Sequence, residues 1–345
     1  MALVAHLAGS PLTESAAELS RLYAAGCIDA LSAVGDYRFL LIYVEPGGCW
    51  RFPESFTADD IAAAPALSTA EAVQRLSSAG IGVVVPHMFC IPGMTTYRSL
   101  LELLAIPYVG NRPATMALTA DKAATRAIVA AAGIDIPPGE LLRAGNVPTL
   151  APPVVVKPAD SDNSFGVSLV RNGSELPDAV ALARRESASV LVEMYIPPGR
   201  EVRCGVIDRD GELVCLPLEE YAIDADTKPI RGADDKLSHD AEGDLFLVAK
   251  TTDRAWIVDE DDPITTAVWE VARRCHVALG CRHYSLFDFR IDPDGRLWFL
   301  EAGLYNSFSR SSVIATMARA AGIDVPELFA TAVTELRREH ERTES

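Results

Sequence analysis

The sequence predicts an α/β protein of more than one domain, and three observations carry that prediction. Strand-like and helix-like patterns alternate along the whole chain, with no internal repeat or low-complexity tract. At 345 residues the chain is longer than one compact core accommodates, so two or three domains are expected. The composition, 49% hydrophobic and 23% charged, is that of an ordinary globular chain.

Taken in order, "ALVAHLAG" reads as a short buried strand. Ser15 and Glu18 have the S-x-x-E spacing of a capping box opening the amphipathic helix "SAAELSRLYAAG". "YRFLLIYVEP" and "IGVVVPHMF" are further strands and "TTYRSLLELLAI" is a helix, so the block to about Gly110 reads as a small open parallel sheet. Such sheets bind ligands beyond the C-terminal ends of their strands, here Gly9-Ser10 and His87 to Met94. "NRPATMALTADKAATRAIVAAAGI" is then one helix, with Pro113 in its first turn and Gly133 as its stop. Strand-like "PPVVVKP", a polar loop, a helix from about Leu176 to Ser187 and the strand "SVLVEMYI" complete this second block. The third carries strands "EVRCGVID", "ELVCLPLEEY", "HYSLFDFRID" and "RLWFLEAG", with helices near Ile264–Leu279 and Ser311–Ala321. Between Tyr221 and Ile264 lies a long acidic stretch of weak periodicity, expected to be a lid or an insertion.

A formal charge of −17 argues against nucleic acid or an anionic membrane as partner, while leaving room for a local basic pocket that takes an anionic small molecule. The seven cysteines are scattered without a CxxC pair or zinc-finger spacing, which fits reduced thiols in a cytoplasmic protein. The N-terminus has no basic n-region, and no apolar run reaches the length of a membrane span.

The chemistry begins at "VVVKPADSDNSFGVSLV". Lys157 ends a run of valines, where an amine is costly unless an anion meets it, and the loop after it offers hydroxyls and backbone N–H groups suited to phosphate. A plain hairpin is the competing reading. Lys122 in "TADKAAT" could supply a second phosphate contact, or be a solvated helix residue. In "VEMYIPPGREVR", Glu193 and Glu201 flank a strand end and a turn, as an adenine hinge with a ribose carboxylate would require, or as an ordinary surface turn would. Most informative is "FDFRIDPDGRLWFLEAG": Asp288 and Glu301 lie on strands joined by a "DPDG" turn. Two carboxylates in an apolar setting call for a cation between them, and carboxylate oxygens suit Mg²⁺. An ion pair of Asp288 with Arg290 is the structural alternative.

This ordered ensemble resembles the ATP-grasp superfamily and, more narrowly, the D-alanine–D-alanine ligase group, from "LLELLAIPYVGNRPATMALTADKAATR" to "MARAAGIDVPELF". The resemblance implies a three-domain ATP-grasp fold with a small N-terminal parallel-sheet domain: residues 1–110, a central domain 111–196, and a C-terminal domain 197–345 with an insertion at 222–263. It implies ATP and Mg²⁺ as cofactors, with Lys122 and Lys157 on the phosphates and Ser164, Phe165 and Gly166 covering them. Glu193, Met194 and Ile196 would hold adenine, the last two through backbone groups, and Glu201 the ribose. Asp288 and Glu301 would hold the metal, and Arg231 and Lys236 would join the two lysines in catalysis. Ser309, Ser311 and Ser312, at the start of a helix, would dock an anionic group of a substrate, with simple capping as the alternative. Small-molecule substrates are implied, and there is room for a homodimer.

The chain departs from the dipeptide ligases at three places: the first-block segment "PHMFCIPGMTTYRSLL" lacks their acidic GEDG-like stretch, and two single positions differ. Leu286 stands where they carry an oxyanion arginine, and Gly303 where they carry a metal-binding asparagine, for which Asn306 could substitute only if its loop bends back. Segments "PHMFCIPGMT", "PIRGADDKL", "GCRHYSLFDFRIDPDG" and "WFLEAGLYNSFS" resemble a subgroup that makes mycosporine-like amino acids. The expectation is therefore an ATP-dependent ligase joining serine or threonine to mycosporine-glycine, a cyclohexenone. The alternatives are D-alanine–D-alanine or another dipeptide ligase, and a non-catalytic nucleotide-binding protein.

Overall fold

The computed structural model describes residues 2–35, 37–143, 145–161, 165–231, 237–239, 245–247 and 254–344. The first block contains β1 (Ala2–Gly9), α1 (Glu14–Ser32), β2 (Tyr37–Val44), β3 (Trp50–Arg51), α2 (Ala58–Ala63), α3 (Thr69–Ser78), β4 (Val83–Pro86), α4 (Ile91–Met94) and α5 (Thr96–Leu103). Its sheet runs β3-β2-β1-β4, with β1 parallel to β2 and β4 and only β3 antiparallel. Gly9 ends β1 with φ +99°, and a Cβ there would lie 2.1 Å from Val44 O, so only glycine lets the two strand ends approach. The expected Ser15–Glu18 box does not form. Thr13, in extended backbone, caps α1 by accepting from the Ala16 N–H, so the helix has already begun when Ser15 is reached. A reciprocal capping box occurs at Ser68 and Glu71 on α3, a helix not foreseen.

The expected single helix after Asn111 is two, α6 (Pro113–Ala120) and α7 (Lys122–Ala131). Asp121 leaves helical backbone, and its carboxylate accepts from the N–H groups of Ala123 and Ala124 at 2.8 and 3.0 Å. The side chain thus begins a new helix, with Lys122 in its first turn. There follow β5 (Gly139–Leu142), β6 (Val154–Pro158), β7 (Ser168–Val170), α8 (Leu176–Glu186) and β8 (Val190–Met194). They form an antiparallel sheet β5-β8-β6-β7, whose buried valines pack under α8.

The third block contains β9 (Arg200–Arg209), β10 (Glu212–Cys215), β11 (Glu219–Tyr221), β12 (Leu237–His239), β13 (Leu245–Leu247), β14 (Ala255–Ile257), α9 (Thr265–Ala278), β15 (Tyr284–Ile291), β16 (Leu297–Gly303), α10 (Val313–Ala320) and α11 (Val325–Glu344). Strands β12 and β13 pair with each other, and much of 222–263 lies outside the described residues. The main sheet runs β14-β11-β9-β15-β16, with β10 also on β9. The expected strand 212–221 is two: β10 pairs with residues 206–209 of β9 and β11 with residues 201–203. Pro217 between them has no N–H for a ladder.

Period-two alternation divides this sheet into two chemically different faces. Val202, Cys204, Val206, Phe287 and Phe289 point into a core with α9, while Glu201, Arg203, Asp288 and Arg290 point to the other side. A second core joins β1, β4 and α1 of the first sheet to Ile207, Leu286, Phe308, Met317 and Phe329. Asn111 reinforces that junction, donating to Tyr284 O and accepting from the Arg282 N–H. No helix among the described residues is long and apolar enough to cross a membrane.

Candidate active site

The charged face of the main sheet and the face of the smaller sheet formed by its central strands β6 and β8 flank a cleft open to solvent. Lys122, Lys157, Arg231 and Arg290 line it, together with Glu193, Glu201, Asp288 and Glu301. Residues expected to act together, from segments more than 170 positions apart in sequence, therefore share one cavity. In a chain of charge −17 this lining is locally balanced, and two more guanidiniums, Arg126 and Arg203, pair with its carboxylates. An anionic ligand meets no net repulsion there.

Each charge has a structural reason to hold its place. Lys157, near the end of β6, is 11% exposed and ion-paired with Glu193 on the neighbouring β8; Arg126 approaches the same carboxylate at 3.4 Å. Lys122 bonds to Ser161 O in the loop after β6 and lies 3.4 Å from Glu301. The β6–loop–β7 segment is indeed a hairpin, and its near end is held by this lysine. Phe165, Val167 and Ser161 line the cleft beside it. Gly166 has φ +70°, and a Cβ there would approach Pro158 Cγ to 3.0 Å. Ser164 lies outside the described residues, as does Lys236.

The hinge differs in detail from expectation. Glu193 and Glu201 are each only 5% exposed. Glu201 Oε2 accepts from Arg290 at 2.5 Å, and its Oε1 lies 3.7 Å from Arg231, which stacks on the Tyr221 ring. The Met194 N–H donates to Pro138 O, and Ile196 C=O accepts from Arg290. Those two backbone groups are committed within the protein, whereas the Met194 side chain stays 44% exposed at the cleft.

Asp288 and Glu301 are register partners on β15 and β16. Their like charges directly opposite each other suit a cation, and their oxygens suit a hard divalent ion. Asp288 does not pair with Arg290, the alternative considered from sequence. Arg203 on β9 takes both of its oxygens, with Nη2–Oδ2 at 2.6 Å. Burial works against the charge of Arg203, but Asp288 and Tyr221 outweigh it and hold its pKa above the usual value. Arg203 and Arg126 were missed from sequence. The available signals were the alternation of Glu201 and Arg203 with Val202 and Cys204, and an arginine four residues after Lys122 on the same helix face.

The serines divide. Ser312 is 6% exposed and caps α10, accepting from the Ala315 N–H and donating to Ser307 O at 2.6 Å. Its hydroxyl is used by the protein, as the capping alternative required. Ser309 packs against Gly26 and shares a 3.0 Å hydrogen bond with Ser311, which is exposed. Leu286 shares the face of Asp288, but Gly205 and Gly303 flank it and Met317 lies above, so it belongs to the core beneath α10. Asn306 is buried and does not line the cleft.

Residues 141–334 match the family model described as D-ala D-ala ligase C-terminus. The D-alanine–D-alanine ligase of Mycobacterium tuberculosis (strain H37Rv) is 34% identical over 246 residues, 69% of this chain and 64% of that protein. That of Mycolicibacterium smegmatis (strain mc(2)155) is 35% identical over 247 residues, with the same shares. The chain thus spans 64% of the length of these curated relatives. Among solved structures, the VanG D-Ala:D-Ser ligase of Enterococcus faecalis superposes with TM-score 0.77 at 21% identity, covering 97% of this chain and 99% of that one. The D-alanine–D-alanine ligase of Bacillus anthracis complexed with ATP gives 0.72 at 19%, covering 98% and 100%. These relatives overturn the mycosporine-glycine reading in favour of its dipeptide-ligase alternative. The physical reason is local, because position 286, whose change had pointed away from dipeptide ligases, is a packing position under α10. The chain has the ATP-grasp ligase fold and belongs to the D-ala D-ala ligase C-terminal family.

Proposed function

We propose that the chain is an ATP-dependent, ADP-forming ligase that joins two molecules of D-alanine through an acyl phosphate. The observation that carries the reading is the placement of Lys122 and Lys157 on two elements that meet at one charge-balanced cleft, opposite the Asp288–Glu301 pair. The names of the relatives supply the substrate. The proposed division is 1–110, 111–196 and 197–345, with the nucleotide between the second and third segments.

In this reading both lysines neutralise charge that spreads over the transferring phosphoryl group. Their carboxylate partners hold them in place before the nucleotide arrives, so little ordering remains to be done on binding. Met194 and Phe165 offer apolar side chains to the base, and Arg231 and Arg290 keep Glu201 at the hinge. A Mg²⁺ ion, when bound, would offset phosphate charge. Glu301 is the more accessible ligand, with 33% of its side chain exposed against 13% for Asp288.

Incubating the protein with ATP, Mg²⁺ and D-alanine tests this directly. The expected products are ADP, phosphate and D-alanyl-D-alanine in equal amounts. Release of AMP and pyrophosphate, or nucleotide turnover indifferent to D-alanine, would reject the reading.

A further inference from the structure

Four side chains form one row across the charged face of the main sheet: Glu219 on β11, Arg203 on β9, Asp288 on β15 and Glu301 on β16, each in register with the next. In an antiparallel sheet such a row lies on one side, with neighbouring side chains in contact range. The order of charges is minus, plus, minus, minus. Arg203 is the cation of this row, and it is directed toward Asp288 through two parallel hydrogen bonds.

That fork is held from behind. The Arg203 guanidinium lies 5.6 Å from the Tyr221 ring centroid, and the Tyr221 hydroxyl is bonded to Glu219. The Arg203 side chain is 17% exposed and that of Asp288 13%. An ion approaching Asp288 would have to displace two charge-assisted bonds and leave a buried guanidinium without its anion, which is costly. Glu301 meets a different cation, Lys122, at 3.4 Å, and is the more open of the two carboxylates.

We propose that Arg203 is the resident counter-ion of Asp288, a fixed cation at the phosphate end of the cleft that keeps Asp288 out of metal coordination and leaves Glu301 as the principal carboxylate for the divalent ion. The inference rests on the nucleotide-binding reading above and deepens it. Asp288 and Arg203 are then positioning residues, and part of the positive charge in the site is built into the sheet.

The test counts and weighs Mn²⁺ by electron paramagnetic resonance in the presence of ATP, using the full chain and the variants Glu301→Gln, Asp288→Asn and Arg203→Met. Glu301→Gln is expected to weaken Mn²⁺ binding about tenfold, and Asp288→Asn to change it less than about twofold. Arg203→Met uncovers Asp288 and is expected to tighten binding or add a second ion, a gain that damage to the fold would not produce. Asp288→Asn weakening Mn²⁺ as much as Glu301→Gln overturns the proposal, as does weaker binding in Arg203→Met. Should Arg203→Met not fold, the comparison of the other two decides alone. ATP binding is followed separately by displacement of a fluorescent nucleotide. If the wild type binds none, the functional reading falls and this inference with it; if ATP binds and the metal pattern is reversed, the inference alone falls.

Discussion

Lys122 Nζ lies 3.4 Å from Glu301 Oε1, tying the first turn of α7 to the end of β16 across the mouth of the cleft. The same amine bonds to Ser161 O, so one side chain connects the loop after β6 to the main sheet. Lys122→Ala should therefore lose a charge-assisted contact to phosphate as well as a tether. ATP affinity is expected to fall by about tenfold or more, measured by displacement of a fluorescent nucleotide. Unchanged affinity would make Lys122 a structural residue.

Lys157 can be tested for structure and chemistry separately. With Glu193 only 6% exposed at its side chain, Lys157→Met leaves a buried carboxylate with Arg126 alone, at a cost of about 3 kcal/mol. Adding Glu193→Gln should restore most of the stability in urea denaturation. It should not restore ADP release, which is expected to stay about 10²-fold down. Recovery of turnover in the double variant would remove Lys157 from catalysis.

Ser312 should behave as a cap. Ser312→Ala removes the acceptor of the Ala315 N–H and the donor to Ser307 O, with an expected loss of about 1 kcal/mol seen as a lower Tm. KM for D-alanine should hardly move. A large rise in KM at constant Tm would return Ser312 to the substrate site.

Acid should destabilise the fold well above the carboxylate range. Burial lowers the pKa of His6 and His283 to about 3 and that of His87 well below 6.5. His6 Nδ1 and His87 Nε2 are 3.0 Å apart and share a hydrogen bond. Below pH 6.5 the unfolded chain takes up protons at these positions and the folded one does not. The stability present above pH 6.5 is lost progressively as pH falls, toward about 3 for His6 and His283. Denaturation midpoints at pH 7, 6 and 5 should fall in that order, and His6→Gln should flatten the slope. Equal midpoints from pH 7 to 5 would contradict the assignment.

Much of the fold was legible because it follows from local rules. The unbroken apolar run "FLLIYV", the alternation in "FDFRI", the proline after Arg112 and the glycine at 133 each act within a few residues, and the elements they mark are present. Errors arose where two local signals competed. Ser15–Glu18 and Thr13 both offered a cap to α1, and only the backbone entering the helix decided for Thr13. At Asp121 a side chain outcompeted the helix it interrupts.

The sequence by itself named many of the charges that line the cleft, Lys122, Lys157, Glu193, Glu201 and the Asp288–Glu301 pair, in an order that resembles nucleotide-dependent ligases. It determined no partnership between residues far apart in the chain. That Arg203 takes Asp288, Arg290 takes Glu201 and Lys122 meets Glu301 follows from strand register and from the way α7 and the β5–β8 sheet face the main sheet. Only the tertiary structure decided that Leu286 is a core residue beneath α10, because burial depends on what packs above a strand and not on the strand. Local propensity is a property of neighbours in sequence. Charge pairing in a cleft is a property of neighbours in space, and strand register is the step that converts one into the other.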